Sequence, residues 1–269
     1  MTDGERWAQV ELDALRAARF RPQAWARFIA ASARRAAVNR AARPALTRQA
    51  RAWSATGLVA GLAARRGALQ LGLRVPTQRA WLVWWLGSAA MLDWHLGMLE
   101  GPDGQRRDRL RAADALSLTR IGLAPFLAVA DGKGLFSLLV AGGAATDLMD
   151  GRVARRHGTS RLGRDLDTSA DVALKLAAAR AARDGRWLTP ATSRLIATCQ
   201  VAGVAVVTAT YFRSGRRPDD EPLGEPRWTA PLLMCGLAIA PYAPRIANPL
   251  VGAASLVTLT IAVTRRVTS

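Results

Sequence analysis

Two carboxylate pairs constrain this chain more than any other feature. Asp147 and Asp150 are three residues apart, and Asp167 and Asp171 are four apart. On a helix, residues three or four apart share a face. Each pair therefore points both carboxylates the same way, and two such helices packed together aim four at one spot. The flanks are apolar, with LFSLLVAGGAAT before the first pair and ALKLAAA after the second. Four unneutralised carboxylates in such surroundings are strongly unfavourable. Divalent cations are the natural remedy, because hard oxygen donors suit Mg²⁺, Mn²⁺ or Ca²⁺.

Composition narrows the class. Half of the 269 residues are apolar, yet the formal charge is +18. These values conflict for a soluble globule and fit a membrane protein, whose apolar spans face lipid while arginines meet anionic headgroups. The competing reading of high charge, a nucleic-acid partner, is disfavoured because the arginines are spread between apolar spans. Lys133 and Lys175 are the sole lysines. Cys199 and Cys235 lie inside apolar runs and read as small core residues, not as a disulfide or metal site. The N-terminus lacks an early apolar run, so no cleavable signal peptide is expected.

The fold expected is all-α, a polytopic membrane helical bundle. Residues 1–52 read as an Arg-rich amphipathic helical region lying on the cytoplasmic membrane surface. Residues 53–113 hold one or two accessory hydrophobic segments and a charged connector. In the second segment, 80–99, Trp81, Trp84 and Trp85 are expected at a membrane interface, with Asp93, His95 and Glu100 as a polar helix end. Six further spans are expected at 115–130, 135–150, 166–183, 189–212, 228–243 and 246–264. With six spans, the clusters Arg106 to Arg111, Arg152 to Arg164, Arg213 to Arg217 and Arg265 with Arg266 share one side, which the positive-inside rule makes cytoplasmic. Arg180, Arg183 and Arg186 fall on the other side, against that rule.

The aspartates sit within a longer pattern: Asp147-x-x-Asp150-Gly151-x-x-Ala154-Arg155, then Gly163-x-x-x-Asp167-x-x-x-Asp171. This resembles the signature of the CDP-alcohol phosphatidyltransferases, integral membrane enzymes of phospholipid synthesis. Seven residues separate Arg155 from Gly163, where the family usually has eight. A softer likeness lies in ADALSLTRIGLAPFLAVA, whose Thr119, Arg120 and Pro125 are similar to positions in the family's first helix. The resemblance implies a six-helix core over 114–265 and a homodimer. It implies transfer of a phosphatidyl group from a CDP-alcohol, CDP-diacylglycerol being expected, to an acceptor hydroxyl with release of CMP. It also implies two divalent cations, Mg²⁺ or Mn²⁺, held by Asp147, Asp150, Asp167 and Asp171, with Asp171 also the general base. Gly151, Ala154, Arg155 and Gly163 are the expected substrate-binding positions. Gly163 is expected to let the third core helix start close to the second. Arg120, Arg194, Arg213 and Arg245 are acceptor-phosphate candidates by location, each competing with a reading as an interfacial snorkel. Thr168 and Ser169 stand where many relatives carry Pro and an apolar residue. Val172 stands where some phosphatidylglycerophosphate synthases carry Lys, and Lys175 lies one turn further on. The alternative function is a non-catalytic membrane protein that keeps the fold and uses its basic N-terminal arm to bind lipid or a partner.

Overall fold

The structure is a computed structural model that describes residues 3–101, 103–157, 160–214 and 228–264; for 150–157, 214 and 262–264 it describes the backbone alone. The described residues form ten α-helices and no strand. Four precede the connector: α1 (Asp3–Ala17), α2 (Pro22–Ala42), α3 (Pro44–Gln70) and α4 (Gln78–His95), the last followed by a 3-10 turn at Leu96–Met98. Six follow it: α5 (Ala112–Leu127), α6 (Lys133–His157), α7 (Arg161–Asp184), α8 (Pro190–Ser214), α9 (Thr229–Ile239) and α10 (Pro244–Thr264).

The six later helices pack in a ring, with α5 against α6, α6 against α9, α9 against α10, α10 against α8, α8 against α7, and α7 back along α5. Small residues make this closeness possible. Ala177, Ala178, Ala179, Ala181 and Ala182 of α7 are buried against Leu127, Phe136, Val140, Ile196, Leu237 and Val251. Alanine brings helix axes together without cavities and carries the highest helix propensity. A second apolar cluster joins Leu46 and Ala50 of α3 and Leu92 of α4 to Leu118 and Ile121 of α5 and Leu162, Leu166 and Ala170 of α7. The residues before the connector thus share a core with the residues that carry the aspartates.

Three sequence expectations change. The tryptophans of α4 serve helix packing: Trp81 and Trp85 are buried and stacked, with ring centroids 6.0 Å apart. Gly57 and Gly61 of α3 make room for them at the same four-residue spacing. A Cβ on Gly61 would lie 1.8 Å from the Trp81 ring, and one on Gly57 would lie 2.0 Å from Trp85. Trp84 Nε1–H donates to the Ile121 carbonyl at 2.8 Å. That carbonyl has no intrahelical partner, because Pro125 four residues on lacks an N–H. In the N-terminal region, two helices replace one, reversing at Arg19 and Phe20, whose φ values are 52° and 56°. They also dock on protein: Arg16 Nε donates to the Phe212 carbonyl at 3.1 Å, and Trp25 packs on Phe212 with centroids 5.3 Å apart. Finally, Cys199 is buried, donating to the Ser255 carbonyl at 3.2 Å, but Cys235 is exposed on α9.

α8 from Pro190 to Arg213 is the one described helix long and apolar enough by itself to cross a membrane. Of the other helices of the ring, α5, α6 and α7 carry charged residues within them, α7 most heavily, and α9 is uncharged but only 11 residues long. Several nevertheless carry large apolar side chains on their outer faces, including Leu138 of α6, Val201, Val204 and Val207 of α8, and Leu256 of α10.

We expect Gly61→Ala to lower the unfolding temperature in detergent, equivalent to about 1–3 kcal/mol of overpacking. An unchanged midpoint would mean that the α3–α4 contact is not as close as described.

Candidate active site

The site is built where α5, α6 and α7 meet. α7 provides a regular frame. Leu162, Leu166, Ala170 and Leu174 recur every four residues and are buried. The adjacent stripe is Asp167, Asp171 and Lys175, at the same spacing. Ser160 caps the helix, its Oγ accepting from Gly163 N–H at 2.9 Å, which satisfies one of the free donors of the first turn. A Cβ on Gly163 would lie 2.8 Å from Asp114 Oδ1 and 3.0 Å from Ser160 Oγ. The close neighbour of Gly163 is therefore α5, not the second core helix α6 as expected.

Asp147 of α6 meets Asp167 and Asp171 of α7, and one oxygen from each lies within 4.8 Å of the others. Asp150, Gly151, Ala154 and Arg155 lie on the same helix as Asp147, but their side chains are outside the described residues. α6 runs on to His157, so Gly151 lies within the helix and not at its end. The extension is consistent with the Ala and Arg content of the motif, since both favour helix and basic residues suit its C-terminal end.

Facing the three carboxylates is Arg120. Its guanidinium is 0% exposed, whereas the Asp147, Asp167 and Asp171 side chains are 44%, 45% and 29% exposed. Nη1–H groups donate to Asp147 Oδ1 at 2.9 Å and to Asp171 Oδ1 at 2.5 Å, and Nη2–H donates to Asp167 Oδ1. The arginine forms the floor of the site, and the carboxylates open above it. Lys175 adds a second cation, its Nζ 3.4 Å from Asp171 Oδ2. Charge-assisted bonds of this kind are about twice as strong as neutral ones. The floor is not a snorkelling residue, so that reading of Arg120 is overturned.

Sequence reasoning underweighted Arg120, Lys175, Asp114 and Ser160. A signal was present for the first. An arginine inside an apolar run is too expensive to be incidental and needs an acidic partner. Asp114, Ser117 and Arg120 recur every three residues, and all three are buried. Thr119 is exposed, its Oγ bonding the Ala115 carbonyl at 2.8 Å, so Ser117 takes the inward position instead. Thr168 and Ser169 are exposed as well. Of the other acceptor-phosphate candidates, Arg194, Arg213 and Arg245 are all exposed. At the polar end of α4, Asp93 pairs with Arg40 at 2.6 Å, and His95 Nδ1 lies 2.8 Å from the Met91 carbonyl.

The sequence profile of the CDP-alcohol phosphatidyltransferases matches residues 110–264, more than half of the chain. The chain belongs to the CDP-alcohol phosphatidyltransferase family. No match is found among curated proteins or solved structures. The matched region holds α5 to α10 and every residue of the aspartate site. Members of this family are membrane-bound transferases of phospholipid biosynthesis that move a phosphatidyl group from a CDP-alcohol to an alcohol acceptor, typically with a divalent metal.

The CDP-alcohol phosphatidyltransferase site fits such a metal chemically. Its donors are carboxylate oxygens, the type that Mg²⁺ and Mn²⁺ prefer. Three carboxylates face Arg120 and Lys175, which leaves one formal negative charge before Asp150 is considered. A cation is favoured by that excess.

Removing the floor tests the electrostatics. In protein stripped of metal, we expect Arg120→Met to lower unfolding stability by about 2–4 kcal/mol, less than for a fully buried pair because the aspartates are open to solvent. Adding Mn²⁺ should raise the midpoint of this variant by more than that of the parent protein. Equal metal responses would contradict the reading of Arg120 as counter-ion.

Proposed function

We propose that this protein transfers the phosphatidyl group of CDP-diacylglycerol to an acceptor hydroxyl and releases CMP, at the cytoplasmic face of a multi-pass membrane bundle. The observation that carries this reading is the convergence of Asp147, Asp167 and Asp171 on one spot above a buried arginine. The reading divides the chain into an interfacial region at 1–52, an accessory region at 53–113 and the six-helix core at 114–265. Homodimerisation is part of the same proposal, by likeness to the family.

Asp147, Asp150, Asp167 and Asp171 are the residues that would hold two divalent cations, Mg²⁺ or Mn²⁺. Bound there, the ions would neutralise the donor's diphosphate and polarise the acceptor hydroxyl. The chain's own groups do the rest. Asp171 accepts the acceptor's proton as its oxygen forms a bond to the phosphatidyl phosphorus and the bond from that phosphorus to the CMP oxygen breaks. The electron pair of the broken bond leaves on CMP. Arg120 and Lys175 hold the Asp171 carboxylate in position from two sides. Gly151 and Ala154 leave room for the nucleotide to approach α6. The planar fork of Arg155 suits diphosphate oxygens. Gly163 acts at one remove, letting α7 start against Asp114.

Membrane insertion of all six later helices, and not of α8 alone, is supported by the apolar outer faces of α6, α8 and α10. In water such surface would favour aggregation, and in lipid it is matched. The aspartate end carries Arg106, Arg107, Arg109 and Arg111 before α5, and Arg161 and Arg164 at the start of α7. The positive-inside bias makes that end cytoplasmic. A non-catalytic scaffold is the competing reading, and an aspartate cluster with no ligand to hold is hard to reconcile with it.

We expect purified protein with Mg²⁺ or Mn²⁺ and CDP-diacylglycerol to release CMP in the presence of the right acceptor from a panel of polyol phosphates and phosphatidylglycerol. EDTA should remove the activity. Asp171→Asn should lower it at least 100-fold, as for loss of a general base, with the unfolding profile retained. Turnover that survives EDTA would refute the metal-dependent mechanism. Folded protein inactive with every acceptor would favour the scaffold.

A further inference from the structure

Two of the three arginines that break the positive-inside pattern, Arg183 and Arg186, line a cleft at the other end of the ring. Arg183 lies twelve residues after Asp171 on α7, about 18 Å along the helix. There the last turn of α7, the segment leading into α8 and the first turn of α10 border an open cleft of about 510 Å³, lined by Arg183, Arg186 and Arg245 together with Trp187, Thr189 and Pro244. Asp184 is the nearby acid, and it is already engaged, by Arg183 at 3.2 Å and Arg180 at 3.8 Å. Arg186 and Arg245 are exposed, and neither pairs with a carboxylate among the described residues.

The cleft is built, not incidental. Asn248 of α10 accepts from Thr189 N–H at 2.8 Å and donates to the Trp187 carbonyl at 3.3 Å and the Pro244 carbonyl at 2.7 Å. One side chain thus ties the segment after α7 to the start of α10. Trp187 is anchored on Phe136, with centroids 4.8 Å apart. Arg186 has φ of 59°, in the left-handed region where glycine is least strained, whereas the preceding Gly185 has φ of −75°. A long cationic side chain occupies the position at which glycine would be easiest to accommodate.

We propose that this cleft binds the phosphate-bearing headgroup of an anionic phospholipid, on the membrane face opposite the aspartates. Guanidinium forks match phosphate oxygens, and clustered arginines at a membrane edge are the usual means of holding an acidic headgroup. A free phosphate ion would use the arginines but leave the apolar walls of Trp187 and Pro244 unmatched, whereas a glycerophospholipid uses both. This rests on the membrane reading above, and it gives the outlying arginines a ligand.

The test uses the full chain in nanodiscs of phosphatidylcholine, with or without phosphatidylglycerol. Lipid retention is read by native mass spectrometry and stability by thermal unfolding. The parent protein should retain phosphatidylglycerol over phosphatidylcholine roughly tenfold or more, and the double variant Arg186→Gly/Arg245→Gln should lose that preference. Arg186→Gly alone relieves the backbone, so its midpoint in phosphatidylcholine should not fall, which separates loss of ligand from loss of fold. A preference that survives in the double variant would overturn the cleft. Inorganic phosphate at millimolar concentration should not reproduce the stabilisation in phosphatidylcholine discs. If it does, in the parent but not in the double variant, the ligand is a free anion and the lipid assignment is overturned. Alkaline carbonate extraction keeps the two readings apart. Release of the protein from membranes would overturn membrane insertion itself, and with it this proposal. A carbonate-resistant protein without lipid preference would overturn the cleft alone.

Discussion

Arg120 reaches from the buried side of α5 to carboxylates on α6 and α7, and three helices are held in register by one guanidinium. Like charges so close would otherwise drive α6 and α7 apart. A buried ion group of this kind is a poor source of net stability, because desolvation offsets most of its attraction. Its value is specificity: Arg120 meets all three acids when α5, α6 and α7 close in the arrangement that gathers them. The incomplete neutralisation matters as much. Two basic groups against three acids hold the site together and leave it receptive to further positive charge.

The surroundings keep that junction from relaxing. Gln49 of α3 grips the backbone of Leu110 through both ends of its amide, at 2.7 Å and 3.2 Å, just before α5 begins. Arg161, at the start of α7, pairs with Glu5 of α1 at 3.3 Å, and its N–H donates to the Glu100 carbonyl at 3.1 Å. Asp3 links Arg35 and Arg106, at 2.9 Å and 3.2 Å, and the Arg35 hydrogen bond holds its carboxyl below the usual range. The basic N-terminal helices therefore brace the end of the bundle where the aspartates lie. The exposed Asp3 pairs contribute little singly, but with the buried Arg161 they connect α1, α2 and the connector to the first turn of α7.

Much of the site could be read from spacing. Carboxylates three and four apart in apolar flanks leave few arrangements, and the convergence of Asp147, Asp167 and Asp171 follows from helical geometry once α6 and α7 neighbour one another. Family membership, too, was legible in the motif. What spacing could not supply was the partner across the junction. Arg120 lies far from the aspartates in sequence, and an arginine at a presumed membrane edge has a cheap alternative in snorkelling. Only the packing of α5 along α7 decides between them. The tryptophans of α4 misled for a related reason. Tryptophan suits both an interface and a tight helix contact, and the glycines of α3 that select the second are informative only once the two helices are paired.

The central claim is that the three carboxylates above Arg120 are a cation site. Diffraction from crystals grown with Mn²⁺, collected at the manganese absorption edge, would locate the ion directly. The account predicts anomalous density within coordination distance of Asp147, Asp167 and Asp171. Manganese bound only elsewhere, with the Arg120 guanidinium still seated against all three acids at saturating ion, would contradict it.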